Sequence, residues 1–504
     1  MDLETLLSFE WGIMMPEFII LGVATVMTLL DLFMPKGLKR KILGWIGFAG
    51  ILAAIVSLIG LLDYPVTTIL FDTFRLDSFA KAFKLILLVG AALVMLLAIS
   101  YEPKEGLTEY RSEFFYLFLT ALLGAMIVTS SGDLITLYVG LELLSLSSYI
   151  LAGLRKENRR SNEAAMKYVV NGSISTAITL FGVSYVYGLT GTTNIAAMRE
   201  ILLALNDSQS VYLLVISFLM IFVGLSFKIA AAPFHMWAPD VYEGAPTPVT
   251  AFLSVVSKIA GFVLLVRVML SIFANAVTDG PNSTSILLTM EDTIAFIAGV
   301  TMVVGNVVAL QQKNMKRLFA YSSIAHAGYI LVAIASLSLF MFDSLWFYLI
   351  AYLFMNLGAF AIIQTLTEKS DSEDSSHFSG LYTRAPILAV AMAVMILSLA
   401  GIPGTAGFIG KLNIITGALV REQANYVLVS VMIATTVISY VFYFGIMVQM
   451  FFRKAKVKDP IKIPVGTGIV IGVCAVATVL LGIFPNIAFD FLQAQFYEFG
   501  DFLR

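Results

Sequence analysis

Apolar runs long enough to cross about 30 Å of hydrocarbon at 1.5 Å per helical residue recur along the whole chain. They fall near 13–33, 42–62, 78–100, 112–129, 133–154, 163–189, 211–232, 248–273, 291–311, 319–340, 343–366, 386–420, 424–452 and 464–484. This pattern predicts an all-α polytopic membrane protein with 14 transmembrane helices. Two runs are irregular. In the seventh, Lys228 is followed five residues later by Pro233, which lacks a backbone donor and clashes with the preceding turn. The twelfth, from Pro386 to Val420, would be about 50 Å long as one helix, and it contains Gly401-Ile402-Pro403-Gly404. Helices 7 and 12 are therefore predicted to be broken. They lie five spans apart, an odd number, so their surroundings face opposite ways across the membrane. This implies two inverted five-helix repeats, 112–274 and 291–452, with helices 1–3 in 1–111 and a last helix in 453–504.

The placement of charge supports that count. Loops after odd-numbered spans hold Lys36, Lys39, Arg40 and Lys41, then Lys104, Arg111, Arg155, Lys156, Arg159 and Arg160. Further on come Lys313, Lys316, Arg317, Lys369 and Arg384, then Arg453, Lys454, Lys456, Lys458 and Lys462. Loops after even-numbered spans hold only Arg75, Arg199, Arg421 and Arg504. Basic loops stay on the cytoplasmic side, so both termini are expected outside. The acidic start, MDLETLLSFEWG, lacks the basic region of a signal peptide, and no cleavage is expected.

Composition narrows the chemistry. The chain is 59% hydrophobic and 13% charged, far from the usual quarter charged of a soluble domain, and its net charge of −2 suggests no nucleic-acid partner. The single Cys474 allows neither an internal disulfide nor a four-cysteine iron–sulfur cluster, and 3 histidines leave little for a metal or haem site. No phosphate-binding glycine loop stands between a strand and a helix. Any redox centre associated with this protein is expected on other chains.

The informative residues are the ionisable ones inside the apolar runs. A lysine near a bilayer centre costs about 2.5–3.5 kcal/mol even on the gentler insertion scale, which asks for a function. Lys258 sits nine residues after Val249, deep in the eighth run; Lys228 and Lys411 adjoin the two breaks. Lys228 can alternatively reach the interface from a helix end. Glu142, nine residues past Asp133, lies about 14 Å into its helix and needs either a cation or a proton. His326, in AYSSIAHAGYI, is a relay or a packing histidine, and His235, at the first break, a relay or a cap. Lys167 is four residues into its helix and reads first as snorkelling; Lys81 and Lys84 read as interfacial, and Arg267 has no assignment. Asp240 and Glu243 read as solvated loop carboxylates.

Three stretches, FHMWAPDVYEGAPTPVTAFLSVVSKIAGF, YSSIAHAGY and LAGIPGTAGFIGK, closely resemble the N-subunit family of the proton-pumping NADH:quinone oxidoreductase, respiratory complex I. The resemblance covers nearly the whole chain and is strongest from Gly132 to Lys411. The wider antiporter-like superfamily includes the L and M subunits, membrane-bound hydrogenase subunits and Mrp-type cation/proton antiporters. VYEGAPTPV followed by Lys258, where many relatives carry histidine, favours the N-subunit family, as does the lack of a long lateral helix after the last span.

The resemblance implies proton translocation through Glu142, paired with Lys228, then Lys258 as the link between half-channels, His326, and Lys411 on the broken twelfth helix. Lys167 also matches a family lysine. It implies no cofactor on this chain, with flavin, iron–sulfur clusters and quinone on partner subunits. M-type antiporter-like and K-type small subunits are the implied neighbours, in a bacterial plasma membrane. Two other readings stand beside it: a subunit of a Mrp-type Na⁺/H⁺ antiporter, and a purely structural membrane-arm subunit whose buried charges only join helices.

Overall fold

The computed structural model describes all residues except 1–2, 36–38, 103–109, 206, 275, 277–283, 369–371, 422–423, 456–460, 497–498 and 503–504. Lys36, Lys104, Lys369, Lys456, Lys458 and Arg504, used above in the charge pattern, lie outside the described residues.

Among the described residues, 13 helices are long and apolar enough to cross a membrane. The first seven are α1 (Met15–Phe33), α2 (Lys41–Ile59), α3 (Ser78–Ser100), α4 (Arg111–Thr129), α5 (Leu134–Ala152), α6 (Arg159–Thr190) and α7 (Ser208–Ile229). Then follow α8 (Thr247–Phe273), α9 (Glu291–Ala309), α10 (Met315–Ser336) and α11 (Met341–Thr367). The stretch expected as one broken twelfth span consists of two shorter apolar helices, α12 (Pro386–Ala400) and α13 (Ala406–Val420). The chain then forms α14 (Tyr426–Phe452) and α15 (Val465–Ile483). Between α2 and α3 lies a small element the hydropathy pattern does not reveal, an antiparallel pair of β1 (Thr67–Ile69) and β2 (Phe74–Leu76).

An apolar helix in a membrane protein can be enclosed by other helices or can face lipid, and burial within the chain tells the two apart. The helices α3, α8, α10 and α11 form the enclosed centre, and α8 is completely buried within the chain. Helices α1, α2, α6, α14 and α15 keep large exposed apolar faces, such as Leu32, Val56, Met166, Val441 and Val476, suited to lipid or to neighbouring membrane subunits.

Both breaks fall where proline and glycine predict them. α7 ends at Ile229, with Ala230 in the left-handed region at φ 58°, and a short helix, Trp237–Gly244, follows the turn. Freed polar groups at this break find partners: Trp237 Nε1 donates to the Phe227 carbonyl at 3.0 Å, and the Ala232 amide donates to Thr301 Oγ1 on α9 at 2.9 Å. α12 ends at Gly401, φ +82°, a backbone conformation that glycine adopts without a Cβ clash.

Candidate functional site

Each of the two breaks has a lysine at its carbonyl end. Lys228 is in the last turn of α7, where the helix dipole favours a cation. Lys411, on α13, points back at the end of α12 and donates to the carbonyls of Leu399 and Ala400, both at 3.1 Å. Its ammonium also stands 4.6 Å from the centre of the Tyr329 ring. In sequence the lysine precedes one break and follows the other, yet both ammonium groups are buried beside a helix end.

Lys258 opens the second α-helical segment of α8, Lys258–Val268, directly after a π-helical turn, Leu253–Ser257. It is 2% exposed and donates to the Ser323 carbonyl on α10 at 2.7 Å, with the Ser323 hydroxyl also in contact. That hydroxyl joins several helices: Tyr352 on α11 donates to it at 2.9 Å, and the Tyr242 hydroxyl lies 3.4 Å away. Asn356 extends the chain by donating to Tyr352 at 3.0 Å.

His326 lies one turn further along α10 and is also buried. Its partners are not the neighbouring serines in sequence but two tyrosines, one from the next helix, α11, and one from distant α14. Nδ1 is 2.7 Å from the Tyr348 hydroxyl and Nε2 is 3.2 Å from the Tyr443 hydroxyl, which in turn lies 2.5 Å from Ser322 Oγ. The imidazole packs edge-on against Tyr329, the ring beneath Lys411. From Lys258 through Ser323, Tyr352, His326 and Tyr329 to Lys411, polar and aromatic groups are thus in continuous contact.

On the other side of Lys258, Lys228 Nζ donates to Ser145 Oγ at 3.1 Å. Ser145 is on α5, one turn from Glu142. Among the described residues Glu142 and Lys228 form no direct ion pair, and Ser145 is the polar side chain that Lys228 meets on this helix. Glu142 Oε1 is buried without a hydrogen-bond partner among the described residues. Such a group calls for water or a proton. The stem of Lys228 lies against α8 at Gly261, where an added Cβ would meet Lys228 Cγ at 3.2 Å. Glycine at this position lets the lysine approach within one turn of Lys258.

The remaining candidates sit apart. His235 is in the first break, mostly buried, with Nδ1 unpartnered among the described residues. Lys167 joins a partly exposed ionic network, pairing with Asp240 at 2.5 Å and Glu163 at 2.7 Å. Arg317 reaches Asp240 at 2.6 Å and Glu243 at 2.9 Å. Asp240 and Glu243 are therefore not free loop carboxylates, because α6 and α10 bring cations to both. Burial alone would raise Asp240, but Lys167 and Arg317 outweigh it and hold the group below the usual carboxylate range.

Two ion pairs escaped the sequence reading. Lys84 is not interfacial: it is fully buried, 2.5 Å from Glu17 of α1 and 4.6 Å from the centre of the Phe74 ring. The N-terminal helix and hairpin cover it, and hydropathy carries no trace of that packing. Glu17, charged within an apolar run, was the available signal. Lys81 is buried as well, its ammonium meeting the carbonyls of Leu62 and Tyr64. Arg267, previously unassigned, pairs with buried Asp77 at 2.9 Å.

A bundle of apolar helices with two broken members and buried lysines on either side of its midpoint is the architecture of an ion-translocating membrane protein. The chain belongs to the NADH:quinone oxidoreductase/Mrp antiporter transmembrane family, whose match covers residues 131–439. It is 61% identical to NADH-quinone oxidoreductase subunit N of Anoxybacillus flavithermus, over 100% of both chains. With the protein of the same name from Bacillus anthracis it shares 55% identity, over 100% of this chain and 98% of the relative. A chain of respiratory complex I from Thermus thermophilus superposes with a TM-score of 0.78 and 30% identity, covering 94% of this chain and 99% of the other. A chain of the Mrp complex from Dietzia sp. has the same fold, with a TM-score of 0.81, 18% identity, and coverage of 98% and 100%.

Proposed function

We propose that this chain is an antiporter-like membrane-arm subunit of a proton-translocating NADH:quinone oxidoreductase, moving protons while other subunits carry flavin, iron–sulfur clusters and quinone. Its relatives' names and the family match support the assignment. The observation that carries the mechanism is Lys258, buried at the middle of α8 between the groups around Lys228 and those around Lys411. Glu142, Lys228, Lys258, His326 and Lys411 constitute one line of proton carriers, with Lys167 and His235 as accessory groups.

Each lysine exchanges a proton rather than holding a fixed charge. An ammonium out of water is costly unless a carboxylate, carbonyl or hydroxyl compensates it, so small changes in these contacts move the proton on or off. Serine and tyrosine hydroxyls both donate and accept, and with water they pass protons between lysines. Residues 112–274 and 291–452 act as two units in opposite orientation, one opening to each side. Both termini face outward in a bacterial plasma membrane, and M-type and K-type subunits flank the chain.

The test is proton uptake into vesicles containing the assembled complex, normalised to its redox rate. Lys258→Ala is expected to lower the proton-to-electron ratio. A normal ratio in an assembled Lys258→Ala complex refutes the line. Purification of the native protein without flavin and iron–sulfur subunits refutes the complex and favours a Mrp-type antiporter.

A further inference from the structure

Lys411 is the buried cation of the second break, and the helices packed around it offer it no carboxylate. Its neighbours are α10, α11, α12, α14 and α15. Beyond their first and last turns, helices α9 to α15 carry only His326, Lys411, Cys474 and tyrosines as titratable side chains. What the ammonium does meet is the pair of carbonyls at the end of α12 and the face of Tyr329, 4.6 Å from the ring centre. A neutral amine can donate to the same two carbonyls. An aromatic face is different: its quadrupole attracts a cation and has no such pull on an uncharged amine. The ring therefore adds a preference for the charged lysine that the hydrogen bonds alone do not supply.

Tyr329 is anchored from α9. Asn306 Nδ2 donates to its hydroxyl at 3.0 Å and to the Met302 carbonyl at 2.8 Å. On either side of that bond the two helices meet at backbone distance. A Cβ at Gly305 would lie 2.5 Å from the Ala325 amide nitrogen, and one at Gly328 would lie 2.8 Å from the Met302 amide nitrogen. Helices this close fix the register of Asn306 against Tyr329, and the tyrosine itself is buried. His326, one turn before it on α10, stands edge to face with the same ring, 5.4 Å between centres and 84° between planes. One anchored ring thus touches both the imidazole and the ammonium.

We propose that Tyr329 is the positioning residue for the step between His326 and Lys411, its ring face holding the Lys411 ammonium at the end of α12 in place of a carboxylate. The proposal rests on the proton-line reading above. When a proton reaches Lys411 from the His326 side, the imidazole is left neutral and the amine becomes an ammonium, which the ring attracts. Onward loss of that proton restores the amine, and the ring ceases to hold it. Tyr329 neither gains nor loses a proton in the step: its hydroxyl is taken up by Asn306, and the cation meets the ring face.

The test is a series at Tyr329 in the assembled complex: phenylalanine first, then mono-, di- and trifluorophenylalanine. Fluorine withdraws negative charge from the ring face while nearly keeping the ring's shape, so a purely packing role predicts a flat series. The readout is the proton-to-electron ratio in vesicles with equal pH on both sides, followed as pH is raised. The ratio should fall once Lys411 no longer reloads, and the midpoint of that fall reports how firmly its proton is held. Tyr329→Phe keeps the face and should keep the midpoint. The trifluorinated ring should lower it by about half a unit to one unit, in graded steps along the series. A midpoint that stays fixed along the series, or one that rises, overturns the proposal. Lys411→Ala separates this result from the reading beneath it. A normal ratio in Lys411→Ala removes Lys411 from the proton line, whereas a lowered ratio beside a flat fluorine series keeps the line and removes the role of Tyr329.

Discussion

Lys258 on α8 and Ser323 on α10 hold each other by both the carbonyl and the hydroxyl of the serine, with the carbonyl contact at 2.7 Å. The two residues are 65 positions apart, and their contact joins α8 to α10. It also gives the buried ammonium two acceptors but no carboxylate, so its charge is compensated only in part. A site of that kind can release its proton.

Lys258→Arg separates a proton-carrying role from a structural one. Arginine keeps the charge but does not deprotonate in proteins. The variant should assemble better than Lys258→Ala while pumping no better. Assembly measured on native gels and proton uptake per electron give the comparison. Restoration of both by arginine would assign Lys258 a structural role.

Ser145→Ala tests the link between Lys228 and α5. It removes the hydrogen bond at 3.1 Å while leaving Glu142 in place. Hydrogen bonds to charged groups contribute about 1.5–3 kcal/mol, and each 1.4 kcal/mol is a factor of about ten. Proton transfer in single-turnover measurements should slow by roughly tenfold or more with the complex intact. An unchanged rate would show that Lys228 does not depend on this contact.

Gly401→Ala should loosen the second break. At φ +82° an L side chain is strained by about 1–2 kcal/mol, and the new Cβ would lie 3.0 Å from Lys411 Cδ. The expected result is a lower thermal midpoint together with a proton-uptake defect, since Lys411 must move. Gly404→Ala is the control: φ is +86° with open space around the Cβ, so it carries the strain without pushing Lys411.

Acid should open the Lys167–Asp240–Arg317 network. Asp240 lies below its ordinary range in the folded protein, so its contribution is complete above the unfolded value, about 3.9. It is lost as pH falls through the lower, folded value. Hydrogen exchange over Trp237–Gly244, corrected for intrinsic rates, should be flat from pH 7 to 5 and rise only below about pH 4. Asp240→Asn should show the acid-like exchange already at neutral pH.

The loops holding Arg155–Arg160 and Lys313–Arg317 should share one face of the membrane, because basic residues gather on one side of the count. Reporter fusions at these loops check this. Opposite signals from the two would undo the span order from helix 5 to helix 9.

The amino-acid sequence by itself determined the class of fold, the two breaks, and some of the ionisable residues that lie too deep to be solvated. These are local properties: the length of an apolar run, a proline without a donor, a glycine free of a Cβ. Lys228, Lys258 and Lys411 could be recognised for that reason, and long motifs tied them to a family. Only the tertiary structure decided what compensates each charge. Lys228 meets Ser145 across 83 positions, Lys258 meets Ser323 across 65, and His326 meets Tyr443 across 117. Partners of that kind are selected by helix packing, in which neither residue leaves a mark on the chain near the other. Lys84 shows the limit most plainly. Its place near a helix end suggests water, yet α1 folds over it and supplies Glu17, because a cation sealed from solvent by packing needs compensation from within the protein, here a carboxylate.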